Sequence, residues 1–152
     1  RFLLGILIIG LLYLLLSKYI FNKKEKAKTI KPKVIIPADV VALNSLAALD
    51  KKELWQAGEI KEYHSEISEI LRSYLENRFQ ILALELPTFD IIKNLENKGV
   101  NSDDLQLLST LLQRADLAKF AKSKPIDVEN IQSMEQSVIF VKNTKLKQES
   151  ND

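Results

Sequence analysis

Cysteine is absent from this 152-residue chain. That removes disulfides, thiolate nucleophiles and cysteine-bound metal centres in one step. Histidine occurs once, at His64, with Lys61 three residues before it. A carboxylate di-iron bundle needs repeated Glu-x-x-His pairs, so that architecture is excluded. Glycine and proline number four each, too few for a turn-rich β fold. No glycine-rich phosphate loop, Walker pattern or dinucleotide fingerprint is present. A lone histidine cannot be matched by spacing to any particular serine. These absences leave no recognisable catalytic residue, cofactor site or metal ligand set, and no small-molecule substrate.

What remains is 46% hydrophobic and 28% charged residues, a globular composition that excludes wholesale disorder. The formal charge of +2 hides an asymmetry. Lys23, Lys24, Lys26, Lys28, Lys31 and Lys33 stand against Glu25 alone, giving segment 22–33 a charge of +5, whereas residues 34–152 carry −5. An acidic domain lacks the basic patch on which nucleic-acid binding depends.

Residues 1–21 read as a transmembrane helix. Phe2 to Leu16 carries no charge, and fourteen of the twenty residues from Phe2 to Phe21 are Leu, Ile or Phe. Twenty helical residues span roughly 30 Å, the thickness of the hydrocarbon core. At roughly 0.3–0.6 kcal/mol each, the fourteen favour insertion by about 4–8 kcal/mol. Lys18 lies near one end, where its ammonium reaches the headgroups. A signal peptide would put its positive charges first and end in a small-x-small cleavage site; here the lysines come after the apolar run and Ser17-Lys18-Tyr19-Ile20-Phe21 offers no such site. Lys18, Lys23, Lys24, Lys26 and Lys28 are therefore the membrane-flanking candidates, with lipid as a partner. The positive-inside rule places the lysine collar and the residues after it in the cytoplasm, as the C-terminal part of a single-pass inner-membrane protein. Arg1 rather than Met opens the sequence, so a preceding segment is expected.

Residues 22–37 form a lysine-rich juxtamembrane linker and 38–142 a cytoplasmic helical domain, with 143–152 a polar, disordered tail. Pro37 is suited to a helix start, and Val40, Leu43, Leu46 and Ala47 recur at helical spacing up to Asp50. Leu54-Trp55 begins a short piece closed by Gly58. Over 59–79, Ile60, Tyr63, Ile67, Ile70, Leu71, Tyr74 and Phe79 form one broad stripe. Pro87-Thr88 starts the next helix with Thr88 as N-cap; it carries Phe89, Ile92 and Leu95 and stops at Gly99. Asn101-Ser102-Asp103-Asp104 is another start signal, before Leu105, Leu108, Leu111, Leu112, Ala115 and Ala118. Pro125-Ile126-Asp127 caps a last helix with Val128, Ile131, Met134, Val138 and Val141 inward. The fold class is all-α, a single transmembrane helix followed by a small compact bundle of about five helices.

Glu59, Glu62, Glu66, Glu69 and Glu76 lie on a second stripe of the 59–79 helix. Carboxylates at i,i+4 repel by a few tenths of a kcal/mol per pair, a cost that a basic partner would relieve. They are the candidate docking residues, beside the plainer reading of a solvated face. Arg72 and Arg78 are expected to pair with Glu69 and Glu76 or to reach across helices, and Asp116 with Lys119. Trp55, Tyr63, Tyr74, Phe79, Phe89 and Phe120 are expected as core anchors. His64, at the edge of the apolar stripe, reads as a structural imidazole; a phosphotransfer module using it is the alternative.

Several stretches resemble a known family. They are Ala42-Leu43-x-x-Leu46-x-x-Leu49, Leu54-Trp55-x-x-Gly58-x-Ile60-Lys61-Glu62-Tyr63, and Ile70-Leu71-Arg72-x-Tyr74-Leu75-x-x-Arg78-Phe79. Pro87-Thr88-x-Asp90-Ile91 and Ala115-Asp116-Leu117-Ala118-Lys119-Phe120-Ala121-Lys122 extend the match. The pattern is similar to the C-terminal part of BatD-like membrane proteins of Bacteroidota. These belong to aerotolerance operons, encoded with a MoxR-type AAA+ ATPase and von Willebrand factor A proteins. The likeness covers about residues 1–125, with His64 and Phe89 as departures. Its motifs are helix-packing patterns and carry no catalytic residue across. It implies a non-enzymatic interaction domain that couples a periplasmic region to the cytoplasmic ATPase or its von Willebrand A partners. A purely structural membrane anchor is the remaining reading.

Overall fold

One helix of this chain, and the single turn before another, stop where glycine lets the backbone turn left-handed. The computed structural model describes residues 36–146, and among them the regular structure is five α-helices and no strand. Helix α1 spans Ala38–Asp50. A single helical turn comes next, with Ala57 N–H donating to Glu53 O and Glu59 N–H reaching back to Leu54 O. Gly58 closes it at φ +87°, a value that a side chain would strain. Helix α2 spans Ile60–Phe79, α3 Thr88–Asn97, α4 Ser102–Phe120 and α5 Asp127–Thr144. Gly99, at φ +77°, ends α3 as Gly58 ends the first turn, with Val100 N–H on Leu95 O. Asn101 caps α4 as its sequence signal predicts, its side chain accepting from Asp104 N–H at 2.8 Å.

Helix α2 packs against α1, α4 and α5, while α3 lies on α4, and α5 closes against both α1 and α4. The stripe read from the sequence is the one α2 buries: Tyr63, Ile67, Leu71, Tyr74 and Phe79 are in the core, with Leu75 beside them. All six apolar positions expected of α4 are buried as well. Tyr74 stands edge-on to Phe79 and Phe140 at 6.5 and 6.2 Å, the arrangement that the ring quadrupoles favour.

Elsewhere the core differs from the expectation. Helix α1 turns Ala42, Leu46 and Leu49 inward and leaves Val40 and Ala47 exposed. Phe89 and Phe120 are not core anchors but stand 76% and 74% exposed. Each falls outside its helix's inward arc, which Ile91 and Leu95 define on α3 and Leu108, Leu112 and Ala115 on α4. Trp55 is half-buried, packed on the core from the turn after α1.

The largest departure is α5. Its buried residues are Asn130, Ser133, Ser137, Phe140, Val141 and Thr144, while Val128, Ile131 and Ile139 face outward. Relative to the apolar stripe, the helix is rotated by roughly 110° at about 100° per residue. Its buried serines and threonine are satisfied where they lie. Ser133, Ser137 and Thr144 donate to the carbonyls of Glu129, Ser133 and Phe140, four residues back, at 2.6 to 2.7 Å. At the start of α5 the capping carboxylate is not Asp127 but Glu129, which accepts from Ile126 N–H at 2.9 Å.

The helical domain also runs past 142. Thr144 is buried, bonded to Tyr74 Oη at 3.0 Å, and its carbonyl accepts from Arg78 Nε at 3.0 Å. Asn143 donates to Asp104 at 2.9 Å. These two residues belong to the fold rather than to a tail. No helix among the described residues is long and apolar enough to cross a membrane. The transmembrane reading of 1–21, and Lys18, Lys23, Lys24, Lys26 and Lys28 with it, lie outside the described residues.

Candidate docking face and groove

The outward side of α2 holds the five glutamates, and the fold treats them unequally. Glu66 is tied to Lys52 across the α1–α2 turn at 2.6 Å. Glu76 accepts from the backbone N–H of Leu84 at 3.1 Å and pins the connection after α2. Glu59, Glu62 and Glu69 are exposed, and their carboxylates have no hydrogen-bond or ion-pair partner among the described residues. The stripe thus reduces to three free carboxylates, with two others serving the fold.

Glu69 also borders a groove of about 380 Å³ between α2, the 80–87 connection and α4, where Leu84, Lys119 and Phe120 form part of the wall. Its floor is a polar network. Gln80 leaves α2 at φ +55° and turns the chain so that Ala83 and Leu86 present their carbonyls to Arg72 Nη1, at 2.8 and 2.6 Å. Arg72 Nε also donates to Ser68 Oγ at 3.1 Å. Thr88 donates to Asp116 Oδ2 at 2.8 Å. Arg72 therefore does not pair with Glu69 or Glu76, and Asp116 is held by Thr88 rather than by Lys119. Thr88 spends its hydroxyl across the α3–α4 contact, which leaves Pro87 at the N-cap position. Arg78 reaches across helices to Thr144, with its guanidinium 4.6 Å above the Phe79 ring. At the rim the Lys119 ammonium stands 5.1 Å from the Phe120 ring centroid, an exposed cation–π contact.

This groove was not legible in the sequence. The signals that mark it are an arginine at the border of the α2 apolar stripe and a phenylalanine off the inward arc of α4. Each acquires meaning only once the 80–87 connection is placed.

His64 lies elsewhere and is 1% exposed. Its Nε2 is 2.9 Å from Asn130 Oδ1. Asn130 Nδ2 is committed to Pro125 O at 3.3 Å, so Oδ1 faces the ring and Nε2 carries the proton. Tyr63 Oη donates to Asn130 O at 2.9 Å beside it. Burial holds the imidazole below its ordinary pKa, opposed by the Asn130 hydrogen bond. Burial likewise pushes the Tyr63 phenol up to about 12, with Asp50 adding to it. A ring enclosed in this way offers no face to a phosphoryl donor. Among the described residues no group of three or more His, Cys, Asp or Glu side chains could hold a metal ion.

Comparison with known proteins finds no matching family model, no matching curated protein and no matching solved structure.

Proposed function

We propose that this chain is a membrane-tethered, non-enzymatic docking domain whose acidic α2 face receives a basic surface of a cytoplasmic protein. The observation that carries this reading is the trio Glu59, Glu62 and Glu69. They are solvent-facing and unpaired among the described residues, and they run along one side of α2 to the rim of a groove that exposes Leu84 and Phe120. An acidic track ending at apolar side chains combines long-range steering with a short-range anchor. The apolar run and lysine collar of residues 1–33 supply the tether, with lipid on one side and the helical domain on the cytoplasmic side of an inner membrane. The partner suggested by the BatD-like resemblance is a MoxR-type AAA+ ATPase or a von Willebrand A protein encoded with it. The burial of His64 sets the phosphotransfer alternative behind this one. A purely structural anchor remains the competing outcome.

The test reverses charge where the fold does not need it. Glu59, Glu62 and Glu69 are changed to Lys together, and Glu66 and Glu76 are left intact because they hold Lys52 and Leu84. The reversed chain should melt like the parent and bind the ATPase at least tenfold more weakly, and parent binding should fall with added salt. Equal affinity of both forms would refute the acidic face. Absence of binding by either form, with the ATPase active, would leave the anchor reading. A reporter fused after Asp152 tests the topology: activity only in a periplasmic form would overturn it.

A further inference from the structure

Helix α5 buries its small polar residues and presents apolar ones to solvent. Val128, Ile131 and Ile139 are 56%, 46% and 48% exposed. With half-buried Val138 they form one outward stripe along the helix. Only two charges interrupt it, Glu135 and Lys142, both exposed and without an ion-pair partner among the described residues. The helix ends at Thr144, where Lys145 turns extended. Two apolar pairs on one side of a helix, Val128 with Ile131 and Val138 with Ile139, call for a cover.

We propose that this face is a self-association surface, on which α5 of a second copy lies antiparallel. The pattern of charge selects that occupant. With a twofold axis passing between Val138 and Ile139, Glu135 meets the partner's Lys142, and Lys142 meets the partner's Glu135. The same operation sets Val138 against the partner's Ile139, and Ile139 against the partner's Val138. The four residues about the axis, Glu135, Val138, Ile139 and Lys142, then each meet a complement, as a twofold interface requires. A lipid surface would instead receive Glu135 in the middle of the buried stripe, where membrane-lying helices carry apolar side chains. The seam is one helix wide, at the small end of specific interfaces, so the dimer is dissociable and concentration-dependent. This association involves neither the acidic face of α2 nor the groove, and the docking reading does not depend on it.

The absence of native cysteine gives a clean background for testing it. Full-length chains carrying Ile139→Cys or Asp103→Cys are expressed, and intact cells are treated with a short bis-maleimide. Ile139→Cys, next to the axis, should yield a covalent dimer, and Asp103→Cys, exposed in the first turn of α4, should not. Adding Glu135→Lys or Lys142→Glu to the Ile139→Cys chain sets like charges against each other twice, and should weaken association at least tenfold. Combining the two reversals restores opposite charges across the axis and should restore cross-linking. Both side chains are exposed, so thermal melting in dilute solution, where the dimer is dissociated, should stay at the parent value and exclude misfolding as the cause. Absence of an Ile139→Cys dimer, or equal cross-linking from Asp103→Cys, overturns the proposal and leaves the face to another partner. Failure of the double reversal to restore the dimer overturns the antiparallel register.

Discussion

Helices α4 and α5 are neighbours in the chain, 19 and 18 residues long, and packed on each other, yet they meet the core in opposite ways. Helix α4 buries Leu105, Leu108, Leu111 and Leu112, the face its periodicity announces. Helix α5 buries Asn130, Ser133, Ser137 and Thr144 together with Phe140 and Val141; of the stripe its spacing announces, Val141 is inside, Met134 and Val138 are half-buried, and Val128 and Ile131 stand outside. Apolar spacing therefore locates an inward face only where nothing else competes for it. On α5 three things compete. Phe140 is the largest apolar side chain of the helix and is packed against Tyr74. Asn130 is bonded to both His64 and Pro125. The serines and the threonine satisfy themselves on the preceding turn, so burying them costs little and brings the backbones close.

The sharpest way to break this contrast is to truncate α4 and α5 at positions that the periodicity treats alike. Leu112→Ala, in a fully buried position, should lose about 2–5 kcal/mol in chemical denaturation. A loss as small as that of a surface change would mean that α4 is not packed through its leucines. Next in size is Asn130→Ala. It strips His64 Nε2 and Pro125 O of their partner and should cost about 1–3 kcal/mol. A melting temperature equal to the parent's would show that α5 is not anchored through its polar side.

A pH titration sharpens the same point. The folded imidazole of His64 has its pKa below the ordinary 6.5. As pH drops through the unfolded value, the unfolded chain takes up a proton that the folded chain still refuses. Stability is then fully present above about pH 6.5 and declines as the pH falls toward the folded pKa. His64→Gln retains an N–H donor, and should flatten that part of the stability curve relative to the parent. At the other end Tyr63 titrates near 12 instead of 10.0. Stability held below pH 10 should fall as the unfolded phenol ionises first. The smallest effect belongs to α5's outer stripe: Ile131→Ala should change stability by less than about 0.5 kcal/mol in dilute solution. A loss like that of Leu112→Ala would place Ile131 in the core and undo the inverted reading of the helix.

Much of the fold was written locally. The order of helices, the stops at Gly58 and Gly99, the Asn101 cap, and the buried stripes of α2 and α4 arise from propensity, capping and spacing within one turn or two. The polar roles did not. Thr88 looked like a cap and bonds Asp116. Of the two roles open to Arg72, pairing with neighbouring glutamates or reaching away from its helix, it takes the second and binds the carbonyls of Ala83 and Leu86. Each of these choices joins atoms brought together by different helices, so spacing along one helix holds no information about them.

By itself the sequence determined that the folded domain is helical and, to within a few residues, where its helices lie, because those outcomes rest on backbone hydrogen bonds and turn signals a few residues apart. It also determined which faces of α2 and α4 turn inward, since their apolar stripes have no rival. Only the tertiary structure decided how far α1 and α5 rotate, which glutamates of α2 stay free, that Phe89 and Phe120 stand in solvent, and that a groove opens between α2, the 80–87 connection and α4. Those outcomes depend on shape and hydrogen-bond satisfaction between segments distant in the chain. A helix with two candidate faces takes the one whose large side chain fits and whose polar atoms find partners.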